Sequence, residues 1–200
     1  MTAGAAAGLR LALVSYEFPP ALVIGGIGTY SAQAARMLAG AGAQVEVFCA
    51  GVASAEGEPW AMPGLVIHRL PCESREAFRT VLAPVLAERH RRAPFAVIES
   101  PELAAEAAEA WELCPGAALV VRLHTPTELL NELGWEAPSA TTRLRMLLGG
   151  LRRGRLVWAR PPAPAAEADL ERRFCAAASL VVAPSRAIAD ICSRRWALPA

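Results

Sequence analysis

Six short apolar runs recur along the 200-residue chain, most of them separated by longer amphipathic stretches. They are LRLALV (9–14), AQVEVFCA (43–50), LVIHRL (65–70), FAVIES (95–100), AALVVRLHT (117–125) and LVVAPS (180–185). Strands that are apolar nearly throughout must be covered on both faces, and helices between them bring the chain back to the same end each time. The expectation is an α/β domain with a parallel sheet and helices on both faces. Ligands of such sheets bind beyond the carboxyl ends of the strands. The segments to inspect are therefore 15–28, 49–51, 99–101, 124–126 and 184–186.

The stretches between the runs predict helices. After three glycines, a 3.6-residue period places Ile27, Tyr30, Ala34, Met37, Leu38 and Ala41 on one side, and Gly40 and Gly42 end the helix. Residues 75–92 turn Phe78, Val81, Leu82, Val85 and Leu86 inward, and Pro84 is expected to kink or interrupt them. Pro101 suits the first turn of a helix over 101–113. Further helices are expected over 165–178 and 186–196. Residues 135–165 are expected to be an irregular, Arg- and Pro-rich insertion, because Gly149, Gly150 and Gly154 argue against a long helix. No internal repeat is found.

Composition removes several chemistries. All twenty basic residues are Arg, so Lys Schiff bases and a P-loop Lys are excluded, and a net charge of +1 points to no particular partner. Five cysteines, odd in number, widely spaced and without C-x-x-C, suggest buried thiols in a reducing compartment rather than a zinc site. No apolar run approaches the ~18 residues of a membrane span, and MTAGAAAGLR makes a poor signal peptide. These features predict a cytoplasmic protein.

The glycines lie in YEFPPALVIGGIGTYSAQAARMLAGAG (16–42). A helix start offers unpaired N–H groups to phosphate, and glycine lets a ligand or another backbone come close. The dinucleotide fingerprint G-x-G-x-x-G fails here, because Ser31 stands at its third glycine and the loop runs to about ten residues where the dinucleotide turn is tight. A loop that simply needs positive φ would also account for the glycines.

The whole phrase from Leu13 to Phe48 resembles the opening of family 4 glycosyltransferases with the GT-B fold. The matching residues are Tyr16, Pro19, Pro20, Gly25, Gly26, Gly28 and the helix end Leu38-Ala39-Gly40-Ala41-Gly42. The family's usual His is replaced by Ala43 or Gln44. VIESPE (97–102), LVVRLHTP (119–126) and LVVAPSRAIADICSRRWALP (180–199) are similar to later family segments, in the right order.

The resemblance implies a Rossmann-like domain, one half of a GT-B architecture spanning residues 1–200, that mainly holds the acceptor. The donor-binding domain would begin where this chain ends, at Ala200. The family retains anomeric configuration and uses a nucleotide-sugar co-substrate, usually without a bound metal. Residue by residue, Gly25 and Gly26 would approach the donor diphosphate or the acceptor, Gly28 is counted with them as substrate- or phosphate-binding, and His124 would sit beside the transferred sugar as the catalytic candidate. Tyr16 and Glu17 would line the acceptor pocket, and Glu99 would bind an acceptor hydroxyl. Ser185 would bind ligand or cap the last helix. His68 and His90 read as ordinary surface or edge residues.

Residues 143–160 hold six Arg and no acid, interleaved with Leu, Met and Trp. They read as a connector over the sheet or as a peripheral contact with anionic lipid at the inner face of the membrane, where some family members use lipid-linked acceptors. No nucleic-acid motif accompanies them. Two other readings stand beside the transferase. One is a stand-alone binding subunit whose partner supplies the donor half. The other is an NAD(P)-dependent oxidoreductase, which would need the missing third glycine and an acid at the end of the second strand.

Overall fold

All six apolar runs become strands in the computed structural model, which describes residues 6–20, 25–52, 58–132, 139–151 and 165–198. β1 (Arg10–Val14), β2 (Gln44–Ala50), β3 (Leu65–Leu70), β4 (Val97–Pro101), β5 (Ala118–Arg122) and β6 (Leu180–Val182) form one sheet in the order β3-β2-β1-β4-β5-β6. Every pairing among them is parallel. The chain winds outward one way from β1 through β3 and then the other way from β4 through β6. The loops leaving β1 and β4 therefore part and open a crevice at their carboxyl ends.

The two-residue period of the strands sorts the core into two layers. Leu11, Leu13, Val45, Val47 and Cys49 pack with Ala32, Ala35 and Ala39 of α1 (Gly26–Gly40). Ala12, Val14, Phe48, Ile98, Leu119 and Val121 face the other way, against Phe78, Leu82 and Leu86 of α2 (Arg75–Arg92) and against Phe174. The stripe that α1 buries is rotated from the expected one. Small residues, Ser31, Ala32, Ala35 and Ala39, face the sheet and permit close approach, while Met37 is exposed.

Other expectations are also corrected. α2 runs unbroken through Pro84, which lies on its exposed side, while Ser74 caps its start by accepting the Ala77 N–H at 3.1 Å. Residues 101–113 are not one helix. Pro101 closes β4, a 3-10 turn covers Leu103–Ala105, and α3 is only Ala108–Glu112. The break has a cause: Ala104 and Ala105 take φ of 55° and 48°, and the Ala104 N–H is held by the Glu171 carboxylate at 2.9 Å. His90 is buried rather than superficial, accepting the Phe95 N–H on Nδ1 at 3.1 Å.

After β5 come α4 (Thr127–Glu132) and α5 (Ala140–Leu151), so the segment expected to be irregular contains a twelve-residue helix. The helix formers Leu144 to Leu148 outweigh Gly149 and Gly150, which fall near its end, where glycine is least harmful. Gly154 and the rest of the Arg-rich segment from 152 lie outside the described residues. α6 (Ala165–Ala177) and α7 (Arg186–Trp196) complete the chain.

Candidate functional site

The loop that leaves β1 is fastened by buried charge. Ser15 donates its hydroxyl to the Glu17 carbonyl at 2.7 Å, and the Tyr16 N–H donates to Glu106 at 2.7 Å. Glu17 accepts the Gly25 N–H at 3.0 Å. The Arg75 guanidinium then bridges Glu17 and Glu106, so α2 anchors the Gly25 loop through a shared cation. Burial pushes the Glu106 carboxyl up to about 7, against the opposing pull of Arg75 and the Tyr16 amide.

The three glycines do different work. At Gly28 an added Cβ would lie 3.2–3.3 Å from the Glu17 Cβ, carbonyl carbon and carbonyl oxygen, so this glycine admits the chain's own backbone. At Gly26 an added Cβ would meet nothing within 4 Å, and its backbone faces open space. Gly25 is the residue before the first turn of α1, extended at φ −162°, and no side chain caps the helix there.

Across from the loop, His124 follows β5. Its main-chain N–H donates to Glu102 at 2.8 Å, and its ring Nδ1 lies 3.1 Å from the Arg122 carbonyl oxygen. Glu102 is fully buried in the turn after β4. Beside them Tyr30 donates its hydroxyl to Glu99 at 2.5 Å, and Arg122 donates to the same carboxylate oxygen at 3.0 Å. The Arg122 guanidinium also stacks 4.2 Å from the centre of the Tyr30 ring. Burial, followed by the hydrogen bond to Glu99, raises the Tyr30 phenol above its ordinary value. Tyr30 and His124 meet edge to face at 5.9 Å.

Between these two groups lies a cleft of about 680 Å³, lined among others by Glu17, Gly25, Gly26, Leu103, His124 and Pro184. The size is within the range of small-molecule sites, with Glu17 and His124 as polar groups among Ile27, Leu103 and Leu130. With this geometry established, sequence comparison assigns the chain: the model of Glycosyltransferase Family 4 matches residues 24–200. The chain belongs to glycosyltransferase family 4. No curated protein sequence matches it.

In this family 4 domain, Glu17, Gly25, Gly26 and His124 share the cleft. Glu99 stands behind them in a small void with Tyr30 and Arg122. Tyr16 is instead a core residue, 9% exposed, with its ring edge-on to Phe78 at 5.8 Å. Ser185 caps α7, accepting the Ile188 N–H at 3.3 Å, and its neighbour Pro184 reaches the cleft. Among the described residues, no group of three His, Cys, Asp or Glu side chains is arranged to hold a metal ion.

Sequence reasoning passed over Tyr30, Arg75, Glu102, Glu106 and Arg122. A signal was present for two of them. Glu99, Glu102 and Glu106 recur at three- and four-residue intervals in an otherwise apolar, alanine-rich segment, and acids there need partners.

Proposed function

We propose that this chain is the acceptor-side domain of a retaining glycosyltransferase that moves a sugar from a nucleotide-sugar donor to a glycan or lipid-linked acceptor. The reading is carried by the juxtaposition of the open Gly26 backbone at the start of α1 with His124 across one cleft. Gly25 and Gly26 border the donor diphosphate, where the free N–H groups of the first turn of α1 and the helix dipole stabilise the charge that grows on the leaving phosphate, the Gly25 N–H itself being held by Glu17. His124 lies against the transferred sugar. Glu17 orders the loop and lines the acceptor side, and Glu99, held by Tyr30 and Arg122, supports the wall behind the cleft. A donor-binding α/β domain, in cis or in trans, closes the other side of the cleft. The transfer needs no bound metal.

A lipid-linked acceptor is supported by α5. Leu144, Leu148 and Leu151 are all exposed and fall on one side of the helix, with Arg143 and Arg145 flanking them. Such a helix lies on an anionic membrane surface with its arginines reaching to headgroups.

The test is to incubate the full gene product with UDP-, GDP- and ADP-sugars and with glycan and lipid-linked acceptors. Nucleoside diphosphate release and a product of unchanged anomeric configuration by NMR are expected. An inverted product, or no transfer from any donor together with tight NAD(P) binding, contradicts the reading.

A further inference from the structure

Glu102 grips His124 at two points. One carboxylate oxygen accepts the main-chain N–H at 2.8 Å, and the other lies 3.3 Å from ring Nδ1. The Arg122 carbonyl oxygen is 3.1 Å from the same nitrogen. A carboxylate and a carbonyl both accept, so the atom between them must be the donor. In the neutral ring the proton therefore sits on Nδ1, and Nε2 carries the lone pair.

Nε2 itself is shielded from solvent and has no hydrogen-bond partner among the described residues. Buried polar atoms are rarely left unpaired, and an unpaired one marks a place for an incoming group. His124 lines two spaces. One, beside Tyr30 and Glu99, measures about 10 Å³, the lower limit for one water. The other is the cleft of about 680 Å³.

We propose that Glu102 is a positioning residue for His124: with the Arg122 carbonyl it fixes the Nδ1–H tautomer and the ring orientation, and so leaves Nε2 as the acceptor of the ring. The bearing of this grip on sugar transfer rests on the reading of His124 as the residue beside the transferred sugar; the tautomer does not. Because the carboxylate is fully buried and also binds the main chain, ring and backbone of His124 are held as one unit. Glu102 touches no substrate and acts only through this grip.

Long-range 1H–15N correlation spectra of the uniformly 15N-labelled protein, recorded where the imidazoles are unprotonated, separate the two tautomers of its three histidines. Single replacements of His68 and His90 assign the His124 signals. The unsubstituted protein is expected to show His124 with Nδ1–H. Glu102→Gln keeps the shape and an acceptor for the main-chain N–H but turns an amide donor toward Nδ1, and the ring is expected to shift to Nε2–H or to a mixture. Glu102→Asp, which restores the acceptor, should return Nδ1–H. An Nε2–H tautomer in the unsubstituted protein overturns the proposal, and that measurement needs no change at Glu102. An unchanged Nδ1–H tautomer in Glu102→Gln also overturns it, since the Arg122 carbonyl alone would then suffice. All of this is read without substrate, so a failure to transfer sugar would count against the function and leave the tautomer result standing.

Discussion

Arg75 is one-fifth exposed, yet it is the common partner of two carboxylates that are almost wholly buried. Removing one partner of a buried ionic group is destabilising because the remaining charges keep their desolvation penalty. Arg75→Met is therefore expected to lower unfolding free energy by roughly 3–5 kcal/mol at pH 8, read by urea denaturation. The loss should shrink at pH 5, where the stranded Glu106 carboxyl can take up a proton. Glu106 also sets a pH dependence of definite sign. Its folded value is raised from 4.5 to about 7, so between those values the folded chain holds a proton that the unfolded chain has released. Its contribution to stability is complete below about 4.5 and is lost as pH rises toward 7, on the order of 3 kcal/mol. Glu46 has the opposite sign. Burial would raise it, but His68, Arg89 and Arg10 bring it down to about 2, so its contribution is lost as pH falls from 4.5 toward 2. The difference between the stability curves of the unsubstituted protein and Glu106→Gln isolates the first effect: the variant should be flatter between pH 4.5 and 7, and parallel curves would contradict the assignment. Residues at strand ends were legible beforehand. Gly26 and His124 were named from position and resemblance, and both border the cleft. Glu102, Arg75 and Glu106 were not, because their meaning depends on partners 22 to 90 residues away. Tyr16 shows the converse error, since an aromatic beside prolines looks like a pocket wall but here fills the core under α2.

Elements were legible wherever apolar period alone decided them. The six strands and α2 follow from the pattern: the inner strands are apolar because they are buried, mostly on both faces, while the edge strands β3 and β6 are partly exposed and read as strands from their β-branched and apolar runs. The segment after β4 was misread for a physical reason. Alanine-rich sequence has high helix propensity, but Glu171 from α6 captures the Ala104 amide and the turn winds left-handed instead. Tertiary contact overrides propensity there. At α5 the reverse holds, and local helix formers prevail over two glycines. Its exposed leucines carry a prediction at this scale. The protein should co-float with phosphatidylglycerol vesicles, and Leu148→Glu should weaken that binding roughly tenfold or more, as expected from losing one leucine's burial. Equal flotation of the two proteins would show that α5 does not meet the membrane.

At the scale of the molecule, the sheet order decides where chemistry can occur. Outward winding from β1 and β4 leaves one crevice, and the Gly25 loop, the turn after β4 and the segment after β5 all open onto it. Behind it, charged networks of Glu17, Arg75 and Glu106 on one side and of Glu99, Arg122 and Tyr30 on the other hold the two walls. A net charge of +1 gives no long-range steering, so any charged ligand of this cleft is recognised by local groups such as the backbone dipoles at the start of α1. None of the helices described is long and apolar enough to cross a membrane. The measurement that bears most directly on this account is the rate of sugar transfer by the full gene product with and without His124→Ala. The account predicts a loss of roughly 100-fold, the scale seen when one preorganised polar contact to a reacting group is removed, with the fold unchanged by circular dichroism. Equal rates in the two proteins would contradict it, and would move the reacting sugar away from this cleft.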